Sequence, residues 1–326
     1  MVSGTQLKVG VAIVAFGNPQ DVRQCLESLS LSEHTAFEVV ICENGGAGAY
    51  ADLVAAIPAR LPGGQPVRTI LAPGNLGYAG GVNRCLEDLP DAEACWVLNP
   101  DTAPEPGALA ALVARLTKGD CDAVGSTVHL PDGTVQSHGG HWRPALARAV
   151  SIGHGEAMSV AVDAAALEAR QNYLNGASML VSRRFIEVAG LMREDYFLYC
   201  EEVEWCLRAI ARDLRLGFAP GAPILHEQGA STGNKSDLKL RSRLSVYLNE
   251  RNRLLLTRDC YPRLLPVATV AALLLLALRF GRGGAWRQLG FALEGWWAGL
   301  RDERGVPASL PAPAAPRGHV ARDAAA

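Results

Sequence analysis

KVGVAIVAFGNPQDVRQCLESLSLSEHTAFEVVICENGG, residues 8–46, decides the fold. Lys8 to Phe16 is an almost uninterrupted apolar, β-branched run, the pattern of a strand buried on both faces. Asn18-Pro19 breaks it, and Val22, Leu26 and Leu29 then recur at helical spacing. A second apolar run, Glu38 to Cys42, follows directly. Strand, helix and strand in so few residues predict a βαβ unit with parallel strands.

The alternation continues outward from this unit. Strands are predicted at Val67 to Leu71 and Cys95 to Leu98, helices around Val82 to Leu89 and Leu109 to Leu116. The fold class is therefore α/β with a doubly wound sheet. Ligands in such sheets lie beyond the carboxyl ends of the strands. That singles out Phe16-Gly17-Asn18, Glu43-Asn44, Gly74-Asn75-Leu76-Gly77 and Asn99-Pro100-Asp101. From Val128 to Asn172 the text loosens into loops and short strands, and helical spacing returns at Arg183 to Ala189 and Glu201 to Arg212.

Composition narrows the function. Hydrophobic residues are 49% and charged residues 20% of the 326, enough to bury a core. Thirty-one basic against 33 acidic residues give a formal charge of -2, which offers no global field for nucleic acid. The eight cysteines form no C-x-x-C pair and read as reduced thiols of a cytosolic protein. Met1 to Lys8 carries no basic segment leading into a signal-length apolar run, so export is not expected.

The catalytic domain is placed at residues 1–258. Beyond it, Leu264 to Leu278 is free of charge but short of the roughly 20 residues needed to span a bilayer. Trp286, Trp296 and Trp297 interleave with Arg287, Glu294 and Arg301, a mixture suited to the headgroup boundary. Residues 259–303 are thus read as a helical region lying on a membrane surface, the alternative being a helical appendage packed on the domain, and 304–326, rich in Ala and Pro, as disordered.

Four places could carry chemistry. The glycines of residues 74–81 open a helix and either cradle an anion or form a tight turn. They match neither a dinucleotide fingerprint nor a phosphate loop. Asp101, at a strand end, offers a hard oxygen ligand, and a Mg²⁺ site needs only one or two such carboxylates when phosphates complete it. Glu201-Glu202-Val203-Glu204 starts a helix after the aromatic run Tyr196 to Tyr199, a setting in which a carboxylate can act as general base. His226 follows another short apolar strand and suits a metal site or a structural hydrogen bond. His138 and His141 are read as loop residues with possible access to an acceptor.

VAIVAFGN (11–18), ICENGG (41–46), GNLGYAGGVN (74–83), LNPDTAPEPGAL (98–109), the stretch NGASMLVSRRFIEVAGLMREDYFLYCEEVEWCLRA (175–209), HEQGAST (226–232) and NERN (249–252) occur in one order. The set resembles the family 2 glycosyltransferases of the GT-A fold, over about Lys8 to Arg258. Within that family it looks most like rhamnosyltransferase-like enzymes of bacterial surface-polysaccharide synthesis. The resemblance implies a mixed sheet flanked by helices and an inverting transfer of rhamnose or another hexose. It implies a UDP- or dTDP-sugar donor, a glycan or lipid-linked acceptor and Mg²⁺ or Mn²⁺ as cofactor. Asp101 then stands at the family's metal-binding acidic motif, with one Asp where many relatives show Asp-x-Asp. His226 would complete the metal or diphosphate site. Glu43 replaces the family's base-recognising Asp, while Phe16, Asn18, Asn44, Asn75, Gly77 and Asn99 would hold the nucleotide sugar. Arg251 would neutralise phosphate charge. Glu202 is the candidate general base and Glu201 the second choice. The chain would work in the cytoplasm, peripheral on the inner face of the plasma membrane. The rival readings are a GT-A-like protein that binds nucleotide sugar or glycan without turnover, and a nucleotidyltransferase, for which no lysine-rich phosphate signature is present.

Overall fold

The computed structural model describes residues 6–226 and 237–307. The Gly229 and Ser231 positions of the late His segment and the tail beyond 307 lie outside the described residues.

Residues 8–46 form β1 (Val9–Ala15), α1 (Pro19–Leu29) and β2 (Phe37–Glu43). Pro19 sits in the first turn of α1, where its missing N–H has no helical partner to lose. Val22, Cys25, Leu26 and Leu29 form the buried stripe of that helix. Helix α2 (Ala47–Ala56), absent from the sequence reading, buries only Leu53 and carries little amphipathic signal. Strand β3 (Val67–Leu71), helix α3 (Gly77–Glu87) and strand β4 (Ala94–Leu98) complete the first half. Its strands pair in parallel in the order β3-β2-β1-β4.

The second half departs from a parallel sheet. It contains β5 (Thr102–Pro104), α4 (Ala108–Leu116), β6 (Ala123–His129), β7 (Val135–Ser137) and a separate hairpin of β8 (Gly140–Arg143) and β9 (Arg148–Ser151). After α5 (Ala164–Glu168) come β10 (Ser178–Ser182), α6 (Arg183–Ala189), α7 (Glu201–Ile210) and β11 (Leu216–His226). β10 runs antiparallel between β4 and β6, and β5 closes the edge antiparallel to β11. The sheet is therefore mixed, in the order β3-β2-β1-β4-β10-β6-β11-β5.

Period-two alternation splits each central strand between two cores. Val11, Ile13, Trp96 and Leu98 face α1 and α4, whereas Ala12, Cys95 and Val97 face α3, α6 and α7. All eight cysteines are free, and seven are buried. His138 is buried, bonded to Thr127 and set edge-on to Phe218, so it is a core residue rather than a loop residue.

The C-terminal region is fastened to the catalytic part. Helix α8 (Arg243–Cys260) runs through the boundary expected at 258, and α9 (Leu265–Arg282) and α10 (Trp286–Leu300) pack against it. A Cβ on Gly295 or Gly299 would collide with the backbone of α8, so these glycines let α10 approach closely. The apolar helical stretch Pro262–Arg282 has 21 residues, because the helical backbone begins before the charge-free run, at Pro262 and Arg263, and continues past it through Arg279 and Arg282. By length and composition it is able to cross a membrane; 22% of it is buried. Ala268, Ala272, Leu276 and Phe280 pack inward, while Val267, Val270, Leu274 and Leu278 are exposed.

Candidate active site

In this strand order the direction of progression reverses between β1 and β4, which places the ligand crevice at their carboxyl ends. The register sets Ala15 beside Glu43 and Ile13 beside Leu98, so Phe16, Glu43 and Asn99 share one rim. β10 enters antiparallel next to β4 with Ser178 opposite Leu98, which brings the Asn175-Gly176-Ala177 turn to the same rim. The Ala177 carbonyl accepts from the Asn99 N–H at 2.9 Å.

Asp101 projects from the turn after β4. The Thr102 hydroxyl donates to the Asn99 carbonyl at 2.7 Å and holds that turn closed. β5 pairs with β11 so that Thr102 faces His226, and this register delivers the imidazole to Asp101, with Nε2 3.2 Å from Oδ1. Nδ1 of His226 lies 2.8 Å from Gln136 Oε1. With Nδ1–H donated to that amide oxygen, the Nε2 lone pair is left facing a carboxylate. Two neighbouring ligands of an octahedral ion with bonds of about 2.1 Å stand roughly 3 Å apart, so the pair fits a shared divalent cation. Among the described residues no third His, Cys, Asp or Glu joins them. Diphosphate oxygens and water would supply the remaining positions, as is usual for Mg²⁺.

The second carboxylate group lies at the start of α7. Glu201 is buried and Glu202 half-buried, and burial pushes both upward from the ordinary carboxylate range, Glu201 also through the charge of Glu202. The backbone before them is strained: Phe197, Tyr199 and Cys200 all have positive φ, at 67°, 75° and 72°. Asn252 holds this strain in place. Its amide donates to the carbonyls of Tyr196, Leu198 and Tyr199 at 3.0, 2.8 and 2.8 Å. Gly176 faces Glu202, where a Cβ would stand 3.2 Å from Glu202 Cγ.

Tyr78 joins the two groups. Its hydroxyl donates to the Gly176 carbonyl at 2.7 Å, and Glu201, Glu202 and Asp101 all act on it electrostatically. After burial, these charges are what raise it well above the ordinary phenol value. The sequence reading missed Tyr78 and Gln136. Tyr78 lay inside the glycine-rich stretch and was visible there; Gln136, ninety residues from His226, gave no signal.

The remaining candidates divide. Glu43 is fully buried; its Oε1 accepts from the N–H groups of Gly17 and Gly45 at 2.9 and 2.6 Å, clamping the loops after β1 and β2. Burial raises it, against the lowering effect of those two donors. Asn44 donates to the Gly77 carbonyl at 2.7 Å, and Asn75 accepts from the Gly77 N–H at 3.0 Å. Asn18 bonds the Phe16 N–H and Asp21, which commits both ends of its amide to the turn; Phe16 itself is half-buried. Glu43 Oε2, Asn44 Oδ1, Asn99 Oδ1 and Glu201 Oε2 are buried without a hydrogen-bond partner, an unusual concentration at one rim.

Two expectations are corrected. Arg251 does not face the crevice: it is fully buried, bonded to Asn252, the Gly305 carbonyl and the Tyr196 carbonyl at 2.9, 2.6 and 3.0 Å. It locks α8 to the strained loop because its guanidinium donates to two backbone carbonyls and to the Asn252 amide oxygen. The glycines of residues 77–81 serve packing. Gly77, at φ 73°, abuts the Phe197 carbonyl, and a Cβ on Gly81 would stand 2.6 Å from Val14.

Residues 6–253 match the family described as glycosyltransferase like family 2. An N-acetylglucosaminyl-diphospho-decaprenol L-rhamnosyltransferase of Mycobacterium tuberculosis is 28% identical over 249 residues, covering 68% of this chain and 77% of that protein. Among solved structures, the mannosyltransferase PcManGT of Pyrobaculum calidifontis, in complex with GDP-Man and Mn²⁺, has a TM-score of 0.55 at 14% identity, over 91% of this chain and 88% of the other. GalNAc-T7 with UDP, GalNAc and Mn²⁺ has a TM-score of 0.54 at 14% identity and covers 77% of this chain, which spans about half (51%) of that longer protein. At these identities the structures establish the fold alone. A mixed sheet with its crevice at the β1–β4 rim and a family match over three quarters of its length lead to one conclusion: the chain belongs to glycosyltransferase family 2 and has the GT-A fold.

Proposed function

We propose that this chain transfers rhamnose or another hexose, with inversion, from a UDP- or dTDP-sugar to a hydroxyl of a lipid-linked glycan acceptor at the cytoplasmic membrane surface. The observation that carries the reading is the arrangement of the Asp101–His226 pair and the Glu201–Glu202 pair around Tyr78. The M. tuberculosis relative supports the acceptor class, since its name specifies a sugar diphosphate on a polyprenol.

The residues divide the work as displacement at an anomeric carbon requires. The Glu202 carboxylate takes the proton of the acceptor hydroxyl as that oxygen bonds to the anomeric carbon. On the opposite face the bond from that carbon to the diphosphate oxygen breaks, and the electron pair leaves with the diphosphate. Burial makes Glu202 a stronger base than an exposed carboxylate, and Gly176, having no side chain, lets the 175–177 turn lie close against it. Asp101 and His226 would hold Mg²⁺ or Mn²⁺, which supplies positive charge to the departing diphosphate when bound. The Asn44–Gly77–Asn75 bonds keep the nucleotide rim rigid.

Membrane contact is part of the proposal. Val267, Val270, Leu274 and Leu278 line the open face of α9, Trp286 and Trp297 are exposed on α10, and Arg263, Arg282 and Arg287 border them. An apolar stripe edged by tryptophan and arginine matches an anionic lipid surface.

The test is transfer by the full-length chain with Mn²⁺ or Mg²⁺, a panel of UDP-, dTDP- and GDP-sugars and a polyprenyl-diphosphate-linked sugar. One donor should be used with release of its nucleoside diphosphate. Asp101→Asn and Glu202→Gln should each lower turnover at least ~100-fold. Wild-type rates in both variants would reject the mechanism.

A further inference from the structure

Two segments that flank Glu202 come from distant parts of the chain, and one residue is bonded to both. Tyr78, the second residue of α3, donates its backbone N–H to the Phe197 carbonyl at 2.8 Å and its hydroxyl to the Gly176 carbonyl at 2.7 Å. The first bond fastens α3 to the strained loop that leads into Glu201 and Glu202. Gly77 makes that approach possible, since a Cβ there would collide with the Phe197 oxygen. The second bond reaches the 175–177 turn, 98 residues further along the chain.

That turn touches both halves of the site. Gly176 packs against Glu202, where a Cβ would stand 3.2, 3.4 and 3.6 Å from its Cγ, Cβ and Cδ. The Ala177 carbonyl accepts from the N–H of Asn99, two residues before Asp101, at 2.9 Å. Within the turn, Asn175 Oδ1 accepts from the Ala177 N–H at 2.9 Å and the Asn175 carbonyl from the Ser178 N–H at 3.1 Å. These bonds shape the turn, and the Gly176 carbonyl is held by Tyr78. A glycine peptide has the widest choice of φ and ψ, so a donor fixed on its oxygen sets how the turn lies.

The ring of Tyr78 packs on the core shared by α3, α6 and α7, which phenylalanine would do equally well. The hydroxyl is the part that packing leaves unexplained. The turn has three attachments: Asn99 on the side of Asp101, Glu202 on the side of the base, and Tyr78 at its middle residue. Shifting that middle residue changes the separation of the two carboxylates while each stays on its own element. A misplacement of about 1 Å at reacting groups can cost ~100-fold in rate.

We propose that Tyr78 is a positioning residue of the transfer reaction: through the Gly176 carbonyl, its hydroxyl sets Glu202 relative to Asp101. This assignment rests on the roles given to those two carboxylates in the preceding reading.

The test is Tyr78→Phe in the full-length chain. Hydrogen exchange, which requires no substrate, should become about tenfold faster at the Ala177, Ser178 and Asn99 amides and stay unchanged in β1 and β2. With the donor found in the sugar-nucleotide panel, kcat should fall about 10- to 100-fold while donor KM stays within about threefold. The melting temperature should stay within about 3 °C of wild type, since one neutral hydrogen bond is lost and the ring is kept. Gly176→Ala crowds Glu202 through the same turn, so the double variant should match the slower single variant within about twofold. Unchanged exchange at 175–178 would overturn the assignment whether or not transfer is observed. A kcat within about twofold of wild type, a rise in donor KM matching the fall in kcat, multiplying losses in the double variant or a larger fall in melting temperature would each overturn it as well. Glu202→Gln in the same assay separates the two readings. Loss of transfer there beside an unimpaired Tyr78→Phe removes the tyrosine's role alone, whereas full activity in Glu202→Gln removes both.

Discussion

At the residue scale, the buried carboxylates carry the sharpest consequence. Glu201 is held above the ordinary range by burial and by its neighbour, so folding favours its protonated form. The sign follows from linkage. Between the ordinary and the raised value the native state binds more protons than the unfolded one, so stability falls as pH rises through that window. Glu201→Gln removes the effect. The variant should melt at least about 2 °C above wild type at pH 8, and the two curves should converge near pH 4, where the carboxyl is largely protonated in both states. A pH-independent difference would mean that the side chain is not held in this way. His226 belongs to the same scale. Its bond to Gln136 orients the imidazole toward Asp101, so Gln136→Ala should weaken Mn²⁺-dependent transfer about 10- to 100-fold, with partial recovery at raised Mn²⁺.

At the element scale, the decisive feature is the junction between the strained 197–200 backbone and α7. Three non-glycine residues with positive φ cost of order 1–3 kcal/mol each and persist only under external restraint. Asn252 and Arg251 on α8 supply that restraint from another part of the chain. Asn252→Ala should lower stability by about 2–4 kcal/mol and reduce kcat about tenfold or more with little change in KM for the donor, because the start of α7 moves while the nucleotide rim does not. Urea denaturation and steady-state kinetics on the same sample measure both. Equal falls in kcat and donor affinity would place Asn252 in the donor site. The NERN motif was legible only through the family resemblance; its burial was not, since the same letters read equally well as an exposed phosphate contact.

At the scale of the whole molecule, the C-terminal helices set which apolar surface the protein presents outward. α9 is pinned by Ala268, Ala272, Leu276 and Phe280 and leaves the opposite stripe open, so the face presented outward is fixed relative to the catalytic rim. Val270→Glu with Leu274→Glu should move the full-length chain from sedimenting with anionic vesicles to remaining in the supernatant, while its melting temperature changes by less than about 3 °C, since neither side chain is packed. Unchanged sedimentation would assign the contact to another surface.

The sequence by itself determined the parallel half of the sheet, the strand ends that line the crevice, and the positions of Asp101, Glu201, Glu202 and His226, because apolar periodicity and turn chemistry are local properties of the chain. It also indicated the amphipathic C-terminal region, though not the length of its apolar helix. Only the tertiary structure decided that β10 enters antiparallel, that Gln136 holds His226 and that Arg251 is interior. Those outcomes depend on which segments pack together across tens of residues, and burial and register, which set the fate of each polar group, exist only once that packing is formed.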